Sequence, residues 1–306
     1  MHVFITGGSG LTGPAVVAEL ITAGHTVTGL ARSDAAAARL EALGASALSG
    51  SLRDLDRLRK GAEDADGVIH MAFSGDRDDP ESRARDDVAA IEALGGSGRP
   101  LVVTSGTLVM PSGRVSTETD APDPGSAAAH RLPGERAALA LAERGVRVSV
   151  VRLAPTVHGP KDHGFVPALI EGARKAGVAA YIGDGANRWP AVHRLDAANL
   201  YRLALENAAP GTVLHAASES GVPLKSVADQ IGHQLGVPSV SMTFEEARAH
   251  FEGASEHFGS TFLATMLAAD APVSSDLTRA LLGWQPVHAP LLDDLRSGDY
   301  IHGERP

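Results

Sequence analysis

Met1-His2-Val3-Phe4-Ile5-Thr6-Gly7-Gly8-Ser9-Gly10-Leu11-Thr12-Gly13 opens the chain, and its reading decides the fold. The β-branched and aromatic run Val3 to Ile5 predicts a buried strand, the glycines end it, and Pro14 to Ile21 carries helical apolar spacing. Each glycine of this turn has a physical use. Gly7 permits the tight turn, Gly10 lets the backbone approach a pyrophosphate, and Gly13 packs the helix closely against the strand. With the free amides of the helix N-terminus, this predicts that Gly7, Gly10, Leu11, Thr12 and Gly13 hold a dinucleotide.

Composition narrows the class. At 306 residues, 43% of them hydrophobic, the chain has material for one large or two modest domains. A formal net charge of −10 argues against nucleic-acid or anionic-membrane partners. No apolar run reaches the roughly 18 residues of a membrane span, and no basic-then-apolar leader precedes the first strand. The expectation is a cytoplasmic protein acting on a small molecule. The absence of cysteine removes disulfides, thiolate metal sites and cysteine nucleophiles. The histidines lack metal-ligand spacing and there is no Gly-x-Ser-x-Gly elbow, so neither a metal nor hydrolase chemistry is expected.

Thr26 to Leu30 reads as a second strand that completes a βαβ unit. At its end an acidic residue would accept from the adenosine ribose of NAD, but the chain has Ala31-Arg32-Ser33. Arg32 and Ser33 suit a 2′-phosphate instead, because guanidinium pairs with phosphate through charge-assisted hydrogen bonds. NADP is therefore the expected cofactor, with NAD second. Ser33 also reads as the N-cap of a helix from Asp34 to Leu43.

Further strands over Ala45–Leu48, Gly67–Ala72, Leu101–Ser105 and Arg147–Leu153 alternate with helices over Leu55–Lys60, Pro80–Leu94 and Ser126–Glu143. The pattern predicts an α/β fold, a Rossmann doubly wound parallel sheet. Beyond Leu153 we expect a loop to Pro160, a helix over Phe165–Ala176, a loop over Gly183–Pro190 and a helix over Leu195–Asn207. Residues 1–160, with a return segment 191–220, are assigned to the NADP-binding domain. Segments 161–190 and 221–306 are assigned to a smaller, mainly helical substrate domain.

The chain resembles the extended short-chain dehydrogenase/reductases, the NAD-dependent epimerase/dehydratase-like proteins, over nearly its whole length. The resemblance is carried by Thr6 to Gly13, His70-Met71-Ala72, Val102 to Ser105, Arg152 to Pro160 and Pro190 to Asp196. It implies that Met71, Ala72, Pro155 and Val157 also contact the cofactor. It further implies a homodimer built on the helices near 80–94 and 126–143, where Ala127, Ala128, Ala129, Ala137, Ala138 and Ala140 would permit close approach. The family's chemistry uses Tyr-x-x-x-Lys, and that spacing is absent. With Glu135 aligned to the family's glutamate, the lysine position falls on Arg131 and the tyrosine position on Ala127. The chain is identified as an atypical member.

Arg131 can bind ribose hydroxyls but does not release a proton near neutrality. Candidate replacements for the tyrosine are His158 and His163 on the loop after Leu153, with His130 beside Arg131 and His193 downstream as weaker ones. Ser105, at a strand end, suits a substrate carbonyl, and Tyr181 can approach from the substrate side. His193 is expected to anchor its loop through Asp196, and Trp189 to be a packing residue. The leading functional expectation is an NADP-dependent oxidoreductase acting on a small carbonyl or alcohol with a non-standard proton donor. A non-catalytic NADP(H)-binding sensor and a sugar-nucleotide epimerase or dehydratase are the alternatives.

Overall fold

The structure is a computed structural model and describes residues 1–73, 79–255, 258–297 and 300. Its first half alternates β1 (His2–Thr6), α1 (Gly13–Thr22), β2 (Thr26–Ala31), α2 (Asp34–Ala42), β3 (Ser46–Ser49), α3 (Leu55–Glu63), β4 (Gly67–His70), α4 (Pro80–Gly95), β5 (Leu101–Gly106), α5 (Leu132–Glu143) and β6 (Val148–Leu153). There follow β7 (Thr156–His158), α6 (Phe165–Ala176), β8 (Ala179–Ile182), β9 (Arg188–His193), α7 (Arg194–Asn207), β10 (Thr212–Ala216) and β11 (Glu219–Pro223). The chain ends with α8 (Leu224–Leu235), β12 (Ser239–Met242), α9 (Phe244–His250), α10 (Ser260–Ala268), α11 (Asp276–Leu282) and α12 (Leu291–Ser297).

Seven strands form the central sheet in the order β10-β6-β5-β4-β1-β2-β3, with every neighbouring pair parallel. The inner strands β1, β4, β5 and β6 are predominantly apolar, as burial on both faces requires. One face packs on Val16, Val17 and Leu20 of α1 and on Leu200, Tyr201 and Leu205 of α7. The other packs on α3, α4 and α5 through Leu58, Ile91, Leu94 and Leu141. The chain steps outward from β1 to β3 and then returns to place β4 on the other side of β1. That reversal opens a crevice above the strand C-termini, where open α/β sheets bind ligands. A separate apolar cluster joins α6, α8 and α10 around Trp189, the packing residue expected from the sequence.

Three sequence expectations are revised. The helix expected from Ser126 begins only at Leu132, after a 3-10 turn over Ala129–Arg131. Pro133 explains this: with no amide to donate to an earlier carbonyl, it belongs to a first helical turn. Ala128 and Ala138, expected at a dimer seam, lie buried in the chain's own core instead, Ala138 on the side of α5 that faces the sheet. The loop expected over Gly183–Pro190 is strand from Arg188 onward, because Pro190 falls within a register shift between β9 and β11. The loop expected after Leu153 contains β7, which pairs with β9.

The glycine turn is tightly constrained. Gly7 has φ +77°, and a Cβ there would lie 2.7 Å from the Ala72 nitrogen. A Cβ on Gly13 would lie 2.1 Å from the Gly7 carbonyl oxygen, so α1 can seat only if that position has no side chain. We expect Gly13→Ala to destabilise the protein by about 3 kcal/mol or more, since backbone must move to admit the methyl group. Urea unfolding checks this, and an unchanged midpoint would refute the packing role.

Candidate functional site

A cavity of about 300 Å³ lies over the C-terminal ends of the strands. Leu11 and Thr12 of the glycine turn form one side, and Ser105 and Gly106 at the end of β5 form its floor. Leu153, Ala154, Pro155 and Val157 follow β6, and Asp162, Gly164 and Phe165 lead into α6. Thus the glycine turn, Ser105, Arg131, Pro155 and Val157, picked out separately in the sequence, converge on one space. Met71 and Ala72 join them through their contact with Gly7.

The glycine turn has the features an anion requires. Thr12 caps α1 without a side-chain hydrogen bond, and no acidic residue stands in the first turn. Only the Gly7 carbonyl lies within 4 Å of a Cβ built on Gly10, leaving its backbone open on the remaining sides. Such a cradle fits a diphosphate. At the end of β2, Arg32 and Ser33 are exposed, and Ser33 accepts from the Ala36 amide at 3.3 Å as the N-cap of α2. The cap uses the Ser33 oxygen as acceptor and leaves its hydroxyl hydrogen available.

Two polar atoms in the cavity are conspicuous because native proteins rarely leave such groups unpaired when buried. The Ser105 hydroxyl and Arg131 Nη1 are both buried with no hydrogen-bond partner among the described residues. The other Arg131 terminal nitrogen, Nη2, donates to the Thr104 carbonyl at 2.5 Å. Its guanidinium lies 3.8 Å from the centroid of Phe73. Burial lowers the Arg131 pKa, while the nearby Asp87 opposes the shift; the group remains a cation at neutral pH. Asp87 is itself held by His70 at 3.1 Å, whose other ring nitrogen meets Thr6 Oγ1 at 2.7 Å. A buried polar chain thus ties the glycine turn to the helix beneath Arg131.

His158 is fully buried, with Nδ1 2.8 Å from Asp294, and does not appear on the described cavity wall. The cause is strand alternation: in β7 the side chain of Val157 meets the cavity while Thr156 and His158 point away. His163 is exposed and off the wall, although its neighbours Asp162 and Gly164 are on it. Tyr181 lies in β8 with the Lys225 ammonium 5.5 Å from its ring centroid, also off the wall. His130 does line the cavity, but burial first, then Arg131 and Arg83, push its pKa down to about 4, so it is neutral at physiological pH.

His193 anchors its loop, as expected, but through the Leu195 amide at 3.2 Å. Asp196 instead receives Val287 and His288, the latter's Nδ1 at 2.7 Å. His193, Asp196 and His288 bring potential metal-ligand atoms within 4.8 Å of one another, a juxtaposition hidden in the sequence. The Asp196 oxygens and His193 Nδ1 already serve these structural hydrogen bonds.

The group that sequence reasoning overlooked is Asp162. One carboxylate oxygen accepts from the Gly164 amide at 2.6 Å and the other from the Tyr300 hydroxyl at 3.1 Å. Burial raises its pKa to about 6, against the opposing pull of Gly164, Tyr300 and Arg194. An aspartate two residues before a glycine signals a local side-chain turn, but nothing in that signal places it in a cavity.

Because the folded-state pKa of Asp162 stands above its ordinary value of 3.8, its tighter proton binding stabilises the fold below that value and is lost as pH rises through about 6. Asp162→Asn, which retains an acceptor for Gly164, should gain thermal stability relative to wild type between about pH 4 and pH 7. Parallel melting scans test it, and a difference constant across that range would refute the shift.

Comparison with known proteins gives consistent matches. The model of the NAD dependent epimerase/dehydratase family matches residues 3–217. An uncharacterized protein of Schizosaccharomyces pombe is 46% identical over 98% of this chain and 100% of its own length. A 2-alkyl-3-oxoalkanoate reductase of Stenotrophomonas maltophilia is 29% identical, covering 83% of this chain and 82% of its own. The structure of a dTDP-glucose 4,6-dehydratase from Streptomyces venezuelae with NAD and TYD bound superposes with TM-score 0.75 at 19% identity, covering 99% of this chain and 98% of that one.

Proposed function

The chain belongs to the NAD dependent epimerase/dehydratase family of extended short-chain dehydrogenase/reductases, and from that premise we propose that it is an NADP-dependent reductase of small carbonyl compounds. The observation that carries the reading is the pair of unpartnered buried donors, the Ser105 hydroxyl and Arg131 Nη1, on the cavity wall beside the glycine turn. A substrate carbonyl oxygen entering the cavity would supply the acceptor that both donors lack. A dinucleotide held by Gly7, Gly10, Leu11, Thr12 and Gly13 would supply hydride chemistry at the carbonyl carbon. The fixed Arg131 cation and the Ser105 hydroxyl are the groups that would stabilise negative charge developing on the carbonyl oxygen, without reorganisation. The likeness to a 2-alkyl-3-oxoalkanoate reductase supports this direction of chemistry.

The alkoxide also needs a proton. Arg131 keeps its own, and neutral His130, with a pKa of about 4, is a poor acid. Asp162, raised to about 6, is the acidic lining residue whose acid form persists nearest neutrality, and we assign it the donor role, with solvent restoring its proton. No tyrosine lines the cavity among the described residues, which disfavours the epimerase and dehydratase alternative. Arg32 and Ser33 provide the NADP preference. A homodimer through α4 and α5, where Ala137 and Ala140 are partly buried, completes the proposal.

A screen of NADPH oxidation over aldehydes and ketones tests the function. Turnover should fall about tenfold in kcat/KM per pH unit above about pH 6, and Asp162→Asn should abolish that dependence. Arg131→Met should lower kcat/KM by about 100- to 1,000-fold, the usual effect of deleting an oxyanion donor. Tight NADPH binding without turnover on any carbonyl would favour a sensor. Fluorescence titration should show NADPH binding more tightly than NADH, with Arg32→Ala narrowing the difference; a preference for NADH would overturn the NADP assignment.

A further inference from the structure

Aromatic residues are scarce, at 4% of the chain, yet four of its seven phenylalanines, Phe73, Phe165, Phe258 and Phe262, line this one cavity. Phe165 and Phe258 stack with centroids 4.5 Å apart and planes 5° from parallel. Phe262 joins them, 5.9 Å from Phe258 at 23° and 6.1 Å from Phe165 at 27°. Behind the stack the Trp189 ring stands edge-on to Phe165 at 5.2 Å, with its indole nitrogen donating to the Met266 carbonyl at 3.0 Å. The three phenylalanines pack on the buried core yet remain partly exposed, because they form cavity wall. Phe73 lies on the Arg131 side of the cavity, against that guanidinium.

The cavity is therefore chemically divided. Polar donors that fit a carbonyl sit at and beside the end of β5, flat apolar faces extend from α6 and the start of α10, and Leu108 and Met266 add to the apolar wall. At about 300 Å³ it is at the small end for ligand sites. Sugar hydroxyls buried against phenylalanine faces would lose water without gaining hydrogen bonds, a penalty that disfavours polyols on this part of the wall. Aromatic rings instead gain offset-stacked or edge-to-face contacts with such walls.

Resting on the reductase reading above, we propose that the substrate is a carbonyl compound bearing an aryl or similarly flat apolar group, seated on Phe258 and Phe262 with its carbonyl oxygen at Ser105 and Arg131. Two measurements on the full-length protein separate this claim from the reductase reading. The first is calorimetric titration of the NADPH-loaded protein with 2-naphthamide, which carries the same ring and an acceptor oxygen but is not reduced by NADPH. Binding is expected, with Kd weakened about tenfold in Phe258→Leu/Phe262→Leu and restored towards wild type in Phe258→Tyr. NADPH affinity should stay unchanged in all three proteins. No binding of the amide, or an equal Kd in wild type and the double leucine variant, overturns the aryl site. The second measurement compares NADPH oxidation with 2-naphthaldehyde and with glyceraldehyde, where kcat/KM should favour the aryl aldehyde by about tenfold or more. Equal or better use of glyceraldehyde overturns the substrate class while leaving the reductase intact. Phenylalanine-dependent binding of the amide with neither aldehyde turned over supports the aryl site and refutes the reductase reading.

Discussion

A missing methyl group sets the position of everything else. The Gly13 Cα can sit where a Cβ would stand 2.1 Å from the Gly7 carbonyl only because neither a Cβ nor its hydrogens exist there. That contact fixes the start of α1 against the end of β1. Arg194 reinforces it from the far side by donating to the Leu11 carbonyl at 3.2 Å and also to the Pro160 carbonyl. The glycine turn is thereby held between the sheet and the segment that supplies Asp162. A diphosphate cradle and an acidic side chain are kept in register by backbone contacts, so neither depends on a flexible loop.

Against that rigid frame the cavity stores two unsatisfied donors. Leaving Ser105 and Arg131 Nη1 buried without partners costs free energy, of the order of 1–3 kcal/mol for each group. The cost is recovered when a ligand oxygen enters. Arg131 tolerates its position because Phe73 offers the face of a ring and Asp87 a nearby opposite charge. Under the reductase reading, the apolar rings beside the donors lower the local dielectric and so strengthen their pull on a developing charge.

The glycine turn, the alternation of strands and helices and the parallel sheet were legible in the sequence because each has a local signal. Residues that meet only in space were not. Phe73, Phe165, Phe258 and Phe262 are spread across nearly 200 positions and line one cavity only in the folded chain. Asp162 has no sequence signal to set it above His163, because an ordinary aspartate is ionised at neutral pH and an ordinary histidine is not far from titrating. Burial reverses that ranking, and burial is not written in two adjacent letters. The strand through Pro190 has no local signal either: proline argues against an internal strand, but a register shift in the partner strand accommodates its missing amide.

The revised start of α5 bears on the missing tyrosine most directly. Tyr-x-x-x-Lys spacing brings two side chains together because residues four apart on an α-helix share a face. In this protein residues 127–131 are not a turn of α-helix: Pro133 delays the helix to Leu132, and Arg131 becomes its N-cap residue. The geometry that would make a tyrosine at position 127 useful is therefore absent along with the side chain. Arg131, released from the helix face, turns to the Thr104 carbonyl and presents its remaining nitrogen to the cavity. A tyrosine–lysine pair combines charge stabilisation and proton transfer in one place, whereas a guanidinium contributes only the first. Under the reductase reading, the second must come from another wall of the cavity, and the Gly159–Gly164 turn brings Asp162 there, with Tyr300 holding both its carboxylate and the Gly159 amide.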